Sequence, residues 1–236
     1  MAINLTKGQK IDLRKNNGSE LTSFCVGVNW GAIETKRKVT VKTGGFLGFG
    51  GKEEVVTKTE TIDVDLDLSC VLIDNNNQIV DHIYSPLYKP EVLAKFGLGK
   101  GKLETRDYAL KHSGDDLEGD KGGDDGLDNE IISVDLSKLN SNVTQIFFFL
   151  NNVGKEDFSQ IPYAHIRMYE GTPTYVKEIF ANYNVSSEAQ YKGKTALIMG
   201  KLYKREGVWK FHAIGDPTED AFLGQTIHRI IKSYLS

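Results

Sequence analysis

The fold class can be argued from one run of residues, 145–151, which reads Gln145-Ile146-Phe147-Phe148-Phe149-Leu150-Asn151. Successive side chains of a β-strand point to opposite faces of a sheet. Because positions 147 to 150 are all apolar, both faces of this strand have to be covered by other parts of the protein. The stretch therefore predicts a central strand at the nucleus of the core.

Runs rich in β-branched and aromatic residues, separated by turn residues, continue on both sides of this strand. Several short strands with few helices favour two packed sheets over a parallel α/β arrangement. The predicted fold class is all-β: one domain, 1–236, with a sandwich of two mainly antiparallel sheets, a C-terminal helix and an inserted hairpin or flexible loop. We predict strands at residues 10–13, 21–30, 61–73, 78–84, 131–136, 145–151, 165–169, 174–180, 195–205 and 208–214.

Helices are predicted at two places only. A C-terminal helix is expected at 217–235, because Asp216-Pro217-Thr218-Glu219 offers a capping residue, a first-turn proline and an early acid. Its apolar residues recur at helical spacing, so we expect one face to pack on the sandwich. A shorter helix is expected at 90–96, where Gly97 would end it.

Residues 34–60 have the composition of an insertion. They are basic at Lys36-Arg37-Lys38, glycine-rich at 44–51, and rich in Thr, Val and Lys on both sides of the glycines. The two flanks predict a projecting hairpin. Its tip, with Phe46, Leu47 and Phe49, is either a contact for a partner or membrane surface, or a loop with no role. The glycines lack the Gly-Lys-Ser/Thr of a P-loop, which excludes that kind of nucleotide site.

The overall composition is that of a globular protein, with 39% hydrophobic and 26% charged residues in 236. The N-terminus has no basic segment followed by an apolar core, and no apolar run approaches about 18 residues. We therefore expect a cytoplasmic protein. Cys25 and Cys70 each lie inside an apolar strand-like run, which predicts buried thiols rather than a thiolate metal site.

The segment His112–Glu130 is the most acidic part of the chain, with eight carboxylates against a single lysine, Lys121. Such a surface repels phosphates, so no nucleic acid is expected as its partner. Ca²⁺ takes six to eight oxygen ligands, and the glycines between the acids let the backbone turn towards one point. We interpret the segment as a Ca²⁺ loop, with a merely solvated acidic loop as the alternative. Its spacing is not that of an EF-hand, and His112 is expected to orient the loop by hydrogen bonding.

A second acidic strip, Asp63-Val64-Asp65-Leu66-Asp67, alternates acidic with apolar residues. On a strand, its three carboxylates would share one face while the apolar residues enter the core. Mutual repulsion suggests that an ion or a lysine lies opposite them, and an ordinary surface strand is the alternative. We predict that these aspartates join the loop in one cluster. The candidate metal ligands are Asp65, Asp67, Asp115, Asp116, Asp120, Asp124, Asp125, Asp128 and Glu130.

The sequence resembles the TerD family of tellurium-resistance and stress-response proteins over nearly its whole length. The resemblance is carried by the segments Leu5–Leu13, Val26-Gly27-Val28-Asn29-Trp30, Val64–Ser69, His112–Asp116, Gly123–Glu130 and Gly200–Gly215. It implies a two-sheet sandwich that binds Ca²⁺ in acidic loops, a bacterial cytoplasmic location and a role in resistance to tellurite and related stresses. By position, Asp65 and Asp67 match the family's strand aspartates. Asp115, Asp116, Asp124, Asp125, Asp128 and Glu130 match its acidic loop.

The function expected from the sequence is that of a non-catalytic Ca²⁺-binding protein in a stress-response system. Its expected partners are calcium ions, other stress-response proteins and the inner membrane as a peripheral surface. The alternatives are a metal-dependent hydrolase and a small-nucleotide-binding protein. A hydrolase would need a poised base, and His112 is the only histidine beside the loop, with no nucleophile elbow or His-Glu-x-x-His in the chain. A nucleotide site would need a phosphate cradle, which the sequence does not offer.

Overall fold

The structure is a computed structural model, and it describes residues 3–4, 6–15, 18–43, 52–185 and 189–235. Strands are the main regular elements of this part of the chain, which also has two α-helices and one turn of 3₁₀ helix, Ala189–Tyr191. The helices are α1 (Pro90–Ala94) and α2 (Leu223–Ser233). The strands are β1 (Ile3–Asn4), β2 (Lys10–Asp12), β3 (Ser23–Trp30), β4 (Ile33–Thr43), β5 (Lys52–Ile62), β6 (Leu66–Asp74), β7 (Ile79–Ile83), β8 (Leu110–His112), β9 (Glu130–Asp135), β10 (Val143–Asn152), β11 (Ala164–Thr172), β12 (Tyr175–Asn184), β13 (Ala196–Arg205) and β14 (Val208–Thr218).

Two six-stranded sheets face each other across one apolar core. The first sheet has the order β1-β12-β11-β3-β9-β8 and the second has the order β2-β14-β13-β10-β6-β7. Neighbouring strands are antiparallel except for β1, which runs parallel to β12. Inward side chains of both sheets, such as Phe24 and Val26 of β3 and Leu68 of β6, meet in the core. The predicted all-β fold with two mainly antiparallel sheets is confirmed.

Strand β10 occupies the centre of the second sheet, between β13 and β6. Phe148 and Leu150 point into the core between the sheets. Phe147 and Phe149 point the other way and pack with Ile227 and Ile230 of α2. All four side chains are fully buried. The prediction of a central strand covered on both faces is therefore confirmed.

The prediction of one continuous strand at 61–73 is wrong, because the strand is interrupted. Strand β5 ends at Ile62 and β6 begins at Leu66, so residues 63–65 lie between two strands. Their hydrogen bonds go elsewhere: Val64 N donates to Glu118 O at 3.0 Å, and Trp30 Nε1 donates to Val64 O at 2.7 Å. The backbone of this crossing segment is thus tied to the acidic loop rather than to a sheet ladder.

The predicted C-terminal helix at 217–235 is wrong at its start, because α2 begins at Leu223. Strand β14 continues through Thr218, whose ladder partner is Ala196 of β13. Pro217 therefore belongs to a strand, and the residue that precedes the helix is Phe222, which offers no side-chain cap. Ladder pairing at the sheet outweighed the capping pattern, since each paired residue satisfies its backbone groups. The short helix near Pro90 and the two buried free thiols agree with the predictions.

The insertion forms a two-stranded hairpin in which Ile33 pairs with Ile62 and Thr43 pairs with Lys52. This confirms the predicted hairpin. The tip, 44–51, with Phe46, Leu47 and Phe49, lies outside the described residues. Neither helix in the described ranges has the length and apolar character needed to cross a membrane.

Candidate metal centre

The acidic loop joins β8 to β9 and closes one end of the sandwich. Its backbone is hydrogen-bonded to the end of β3: Asp120 N donates to Trp30 O at 2.9 Å, and Ala32 N donates to Asp120 O at 2.9 Å. The bond from Val64 N to Glu118 O, described above, ties the same loop to the start of the second sheet. Gly119 has a φ of +72°, and a Cβ at this position would overlap the ring of Trp30. The loop therefore lies at the place where both sheets end.

Three carboxylates from different elements converge inside this end of the sandwich, and we call them the inner group: Asp67, Asp115 and Glu130. One oxygen of each lies within 4.8 Å of the others. Asp67 comes from β6, Asp115 from the loop and Glu130 from the first residue of β9. The residues Asp67 and Glu130 are buried, with 5% and 0% exposure. The predicted proximity of the strand aspartate to the loop is thus confirmed by geometry.

Glu130 is the anchor of the inner group. Its Oε2 accepts a hydrogen bond from Leu68 N at 2.7 Å, and its Oε1 accepts one from Asp116 N at 3.1 Å. His112 Nε2 lies 3.3 Å from Oε2, while His112 Nδ1 accepts a bond from Gly114 N at 3.0 Å. His112 therefore orients the loop, as expected, and both of its ring nitrogens are turned to protein groups.

Asp67 of the inner group and the neighbouring Asp65 lie in surroundings that disfavour their charge. Burial, followed by the nearby Glu130, Asp65 and Asp115 charges, raises the pKa of Asp67 to about 8. Burial and the Glu130, Asp115 and Asp116 charges raise the pKa of Asp65 to about 6. One oxygen of Asp65 is buried without a hydrogen-bond partner. Ser85 Oγ donates to Asp115 Oδ2 at 2.8 Å. In the described part of the chain, no lysine or arginine pairs with these acids.

The outer group, Asp120, Asp124 and Asp125, lies nearer to solvent, and its ligand atoms also converge within 4.8 Å. Asp120 is positioned most firmly. Its Oδ2 accepts bonds from Tyr163 Oη at 2.9 Å and from Asn29 Nδ2 at 3.1 Å. Asp124 Oδ1 and Asp125 Oδ1 accept bonds from backbone N–H groups two residues further on, at 2.7 and 2.8 Å. The structure thus divides the predicted single cluster into two groups.

Asp116 lies between the two groups and is occupied by local hydrogen bonds. Its Oδ1 accepts from Glu118 N at 2.9 Å and from Gly119 N at 3.0 Å. Its Oδ2 accepts from Asn129 Nδ2 at 3.1 Å, and Asn129 also donates to Asp120 Oδ1 at 3.1 Å. Although burial alone would raise the pKa of Asp116, these donors lower it below the usual value. Asp116 belongs to neither group and shapes the loop between them.

Asp128 is placed apart from both groups, against an arginine. Its side chain is only 1% exposed, and its Oδ1 lies 2.7 Å from Arg167 Nε. The carboxylate covers Gly27 of β3 so closely that a Cβ at this glycine would overlap it. Arg167 also donates from Nη2 to Gly126 O at 3.1 Å. Burial raises the pKa of Asp128, and Arg167 only partly offsets this rise. Asp128 and Arg167 together fasten the loop to the first sheet.

We expect Arg167→Met to lower the free energy of unfolding of the metal-free protein by about 3 kcal/mol at pH 7, because it leaves the Asp128 charge buried and unpaired. The loss should be larger at pH 8 than at pH 5, where Asp128 can take up a proton. Urea unfolding at both pH values measures this.

The double variant Arg167→Met/Asp128→Leu should recover most of the lost stability, since no charge is then left buried. Arg205→Met is a matched control, because Arg205 is 69% exposed. An Arg167→Met loss no larger than that of the control would contradict the assigned role.

The donor set of both groups consists of carboxylate oxygens, and such hard ligands suit Ca²⁺, Mg²⁺ and Mn²⁺. The acidic groups could therefore hold a metal ion. The fit is supported by the orphaned oxygen of Asp65 and by the elevated pKa of Asp67, since both are features that a cation would relieve. Asp63, the exposed member of the strand acids, is paired instead with Lys121 at 3.1 Å.

Several residues of this centre were not predicted from the sequence. All of them supply hydrogen-bond donors, and Arg167 also supplies a positive charge: Asn29, Ser85, Asn129, Tyr163 and Arg167. Asn129 could have been found, since it lies inside the acidic loop. The other four carry no local signal, because their relation to the loop depends on pairing between distant strands.

Comparison with known proteins places the chain in a family. A model of the TerD domain matches residues 1–229. The chain belongs to the TerD domain family. It is 31% identical over 239 residues to stress response protein SCP2 of Bacillus subtilis (strain 168), covering 98% of this chain and 100% of that protein. It is 29% identical to tellurium resistance protein TerZ of Serratia marcescens over 90% of this chain and 89% of that protein. The resemblance read from the sequence is thus confirmed.

The TerD fold is also seen in solved structures. A crystal structure of a homologue of telluride resistance protein (TerD) from Streptomyces coelicolor A3(2) superposes with a TM-score of 0.53. The match has 12% sequence identity and covers 85% of this chain and 92% of that one. In the present TerD domain, three of the segments that carried the resemblance meet at the metal centre. They are Val26–Trp30 at the end of β3, Val64–Ser69 at the start of β6, and the acidic loop.

Proposed function

We propose that this TerD-family chain is a non-catalytic Ca²⁺-binding protein of a bacterial stress-response system. Its inner and outer groups would each hold a cation. The observation that carries the proposal is the inner group, in which three carboxylates from β6, the loop and β9 converge in a largely buried place. The proposed ligands are Asp67, Asp115 and Glu130, with Asp65 beside them, and Asp120, Asp124 and Asp125 in the outer group.

Bringing these acids together is unfavourable without a cation. Like charges within a few ångström repel one another, and burial removes the water that would screen them. Without a cation, Asp67 keeps its proton up to a pKa of about 8, which removes one of the repelling charges. A bound cation reverses this balance, because each ionised carboxylate then gains attraction. A bound cation would therefore give a physical reason for these acids to converge in a buried place.

Ca²⁺ is favoured over other cations by the chemistry of the ligands. Cys25 and Cys70 lie in the cores of strands β3 and β6, so no thiolate is offered to Zn²⁺. The carboxylates come from loop and strand-end positions with irregular spacing. Such a set suits the six to eight ligands and variable geometry of Ca²⁺ better than the small octahedral shell of Mg²⁺.

The contacts of His112 support a binding role over hydrolysis. A hydrolytic metal site needs a base that is free to take a proton from a bound water. Both ring nitrogens of His112 face protein atoms, the backbone N–H of Gly114 and the carboxylate of Glu130, so His112 is not such a base at the inner group. The expectation that His112 is the only histidine beside the loop is wrong, because the pairing of β11 with β3 brings His165 Nδ1 to 3.6 Å from Asp124 Oδ2 at the outer group. The proposed role in stress response and tellurite resistance rests on the names of the relatives. As partners we propose other proteins of such systems and the surface of the inner membrane.

We expect Ca²⁺ to raise the melting temperature of the protein and a chelator to lower it. Binding to the native state alone stabilises it by about 2.7 kcal/mol at a free concentration one hundred times Kd. Differential scanning calorimetry with Ca²⁺ and with EDTA, together with titration calorimetry, measures this. Identical melting curves with Ca²⁺ and with EDTA, together with no heat of binding, would contradict the proposal.

Mg²⁺ is expected to bind more weakly than Ca²⁺ by at least about tenfold, because it gives up its waters reluctantly and demands octahedral geometry. Competition calorimetry, with Ca²⁺ titrated into Mg²⁺-saturated protein, tests this selectivity. Equal displacement of Ca²⁺ by Mg²⁺ at equal concentration would show that the groups are not a Ca²⁺ cage.

A further inference from the structure

Exposed apolar side chains are grouped at one end of the sandwich. In the described part of the chain, eight large apolar or aromatic side chains are exposed. Five of these eight lie in connections or at a strand end on the side that the acidic loop closes, which we call the acidic end: Ile62, Leu87, Leu117, Leu127 and Val153. Single exposed apolar residues are common on proteins, whereas a group of them on one surface marks a place of contact.

Leu87 and Val153 lie beside the inner group and share one apolar surface. Leu87 N donates to Ser85 Oγ at 3.1 Å, and Ser85 Oγ in turn donates to Asp115 Oδ2. Val153 N donates to Asp65 O at 2.9 Å. Although they come from different connections, the two side chains line the same cavity of about 340 Å³, and most of its other lining residues are apolar. The exposed residues therefore belong to the surroundings of the metal centre.

Two free lysines accompany these apolar residues. Lys89 follows Leu87 by two positions, and Lys155 follows Val153 by two positions. Both lysines are exposed, and neither forms an ion pair with the residues that the structure describes. An apolar side chain beside a free ammonium group suits the boundary of a bilayer, where acyl chains lie beneath phosphate groups. Anionic lipids attract such lysines further.

The acidic loop opposes this contact until a cation is bound. Its eight carboxylates against one lysine repel lipid phosphates. Ca²⁺ takes six to eight oxygens, so one oxygen from each of the three carboxylates of the outer group leaves positions for oxygens from outside the protein. Phosphate oxygens are hard ligands of the same kind. A bound cation would therefore turn the loop from a barrier into a point of attachment.

A second copy of the chain fits the acidic end less well than a membrane does. Two acidic ends that face each other double the number of carboxylates that have to be neutralised. A lipid phosphate instead supplies oxygens that the bound cation can use, and the acyl region beneath it takes up apolar side chains.

We propose that the acidic end docks on a membrane containing anionic phospholipids when Ca²⁺ is bound. The exposed apolar residues of this end enter the acyl boundary, and Lys89 and Lys155 face lipid phosphates. The inference rests on the proposed Ca²⁺-binding function, and it names the surface that meets the membrane and the ion that regulates the contact.

Co-sedimentation with vesicles of phosphatidylcholine and phosphatidylglycerol tests the proposal. The wild-type chain should bind them in Ca²⁺ and at least about tenfold more weakly in EDTA, because the bare loop repels phosphates. The double variant Leu87→Ser/Val153→Ser should bind the vesicles in Ca²⁺ about tenfold more weakly than the wild type, since two apolar side chains no longer leave water. Titration calorimetry without vesicles should give this variant the Ca²⁺ affinity of the wild type.

The matched control is Tyr108→Ser/Tyr175→Ser. These tyrosines are 68% and 64% exposed, close to the 65% of Leu87. They lie at the opposite end of the sandwich, because Tyr108 precedes β8 and Tyr175 begins β12. The control variant should bind the vesicles like the wild type.

Three results would overturn the inference while calorimetric Ca²⁺ binding leaves the proposed function standing. They are a Ca²⁺-loaded protein that stays in solution with the vesicles, vesicle binding that EDTA leaves unchanged, and equal binding by the control and by Leu87→Ser/Val153→Ser. Ca²⁺-dependent self-association without vesicles, lost in that double variant, would assign the surface to a second copy and also overturn the inference. Absence of calorimetric Ca²⁺ binding would contradict the proposed function itself.

Discussion

Asp67→Asn is expected to lower the Ca²⁺ affinity of the inner group by on the order of a hundredfold or more, because it removes a charged ligand. In the metal-free protein the same change should cost no stability at pH 8, and a gain is expected. The reason is that Asp67 is buried beside Glu130, Asp65 and Asp115, and its ionised form has no cation to pair with. An asparagine has nearly the same shape and carries no charge.

Titration calorimetry and urea unfolding with and without Ca²⁺ measure the two effects. Asp63→Asn is a matched control, since Asp63 belongs to the same acidic strip but is 52% exposed and pairs with Lys121 at the surface. Asp63 lies outside the inner group, so this control should leave Ca²⁺ binding there unchanged. Its effect on the free energy of unfolding should be at most about 1 kcal/mol, because the pair with Lys121 is at the surface. Wild-type Ca²⁺ affinity in Asp67→Asn would show that Asp67 is not a ligand.

The stability of the metal-free protein is expected to fall as the pH rises, whereas its affinity for Ca²⁺ is expected to rise. The pKa of Asp65 is about 6 and that of Asp67 about 8 in the folded state, both raised above the ordinary value of 3.8. A raised pKa means that the folded state holds its proton to higher pH than the unfolded chain does. The stability from these protons is fully present below about pH 4. It is lost as the pH rises through 6 and then 8.

Ca²⁺ binding follows the reverse trend, because the ligands have to lose their protons before they coordinate. Affinity should therefore rise between pH 6 and pH 8.5, and binding at pH 7 should release protons. Calorimetry in two buffers of different ionisation enthalpy counts those protons, and urea unfolding in EDTA follows the metal-free trend. In Asp67→Asn, both pH dependences should shrink. Proton release that is the same in the variant and the wild type would place the titrating group elsewhere.

The central strand shows what local sequence can determine. The apolar run Phe147 to Leu150 required cover on both faces, and the structure supplies the other sheet on one face and α2 on the other. The period of two along the other strands determined the two-sheet class in the same way. The acidic loop could be recognised because its charge density and glycines are local properties. The boundaries at 63–65 and at 217 were wrong, because sheet pairing and loop hydrogen bonds at those places involve residues far away in sequence.

The neighbours of each acidic side chain could be seen only in the tertiary structure. By composition the predicted ligands are equivalent carboxylates, but Asp67 lies with Asp115 and Glu130, while Asp120 lies with Asp124 and Asp125. Asp128 faces Arg167 of β11, and Asp116 is held by backbone N–H groups of its own loop. That the chain is an all-β sandwich with an acidic loop could be predicted from the sequence, since strand period and charge density are local properties. Which acid lies beside an arginine and which beside other acids depends on the end at which β3, β6 and β9 meet, and that is set by packing between distant strands.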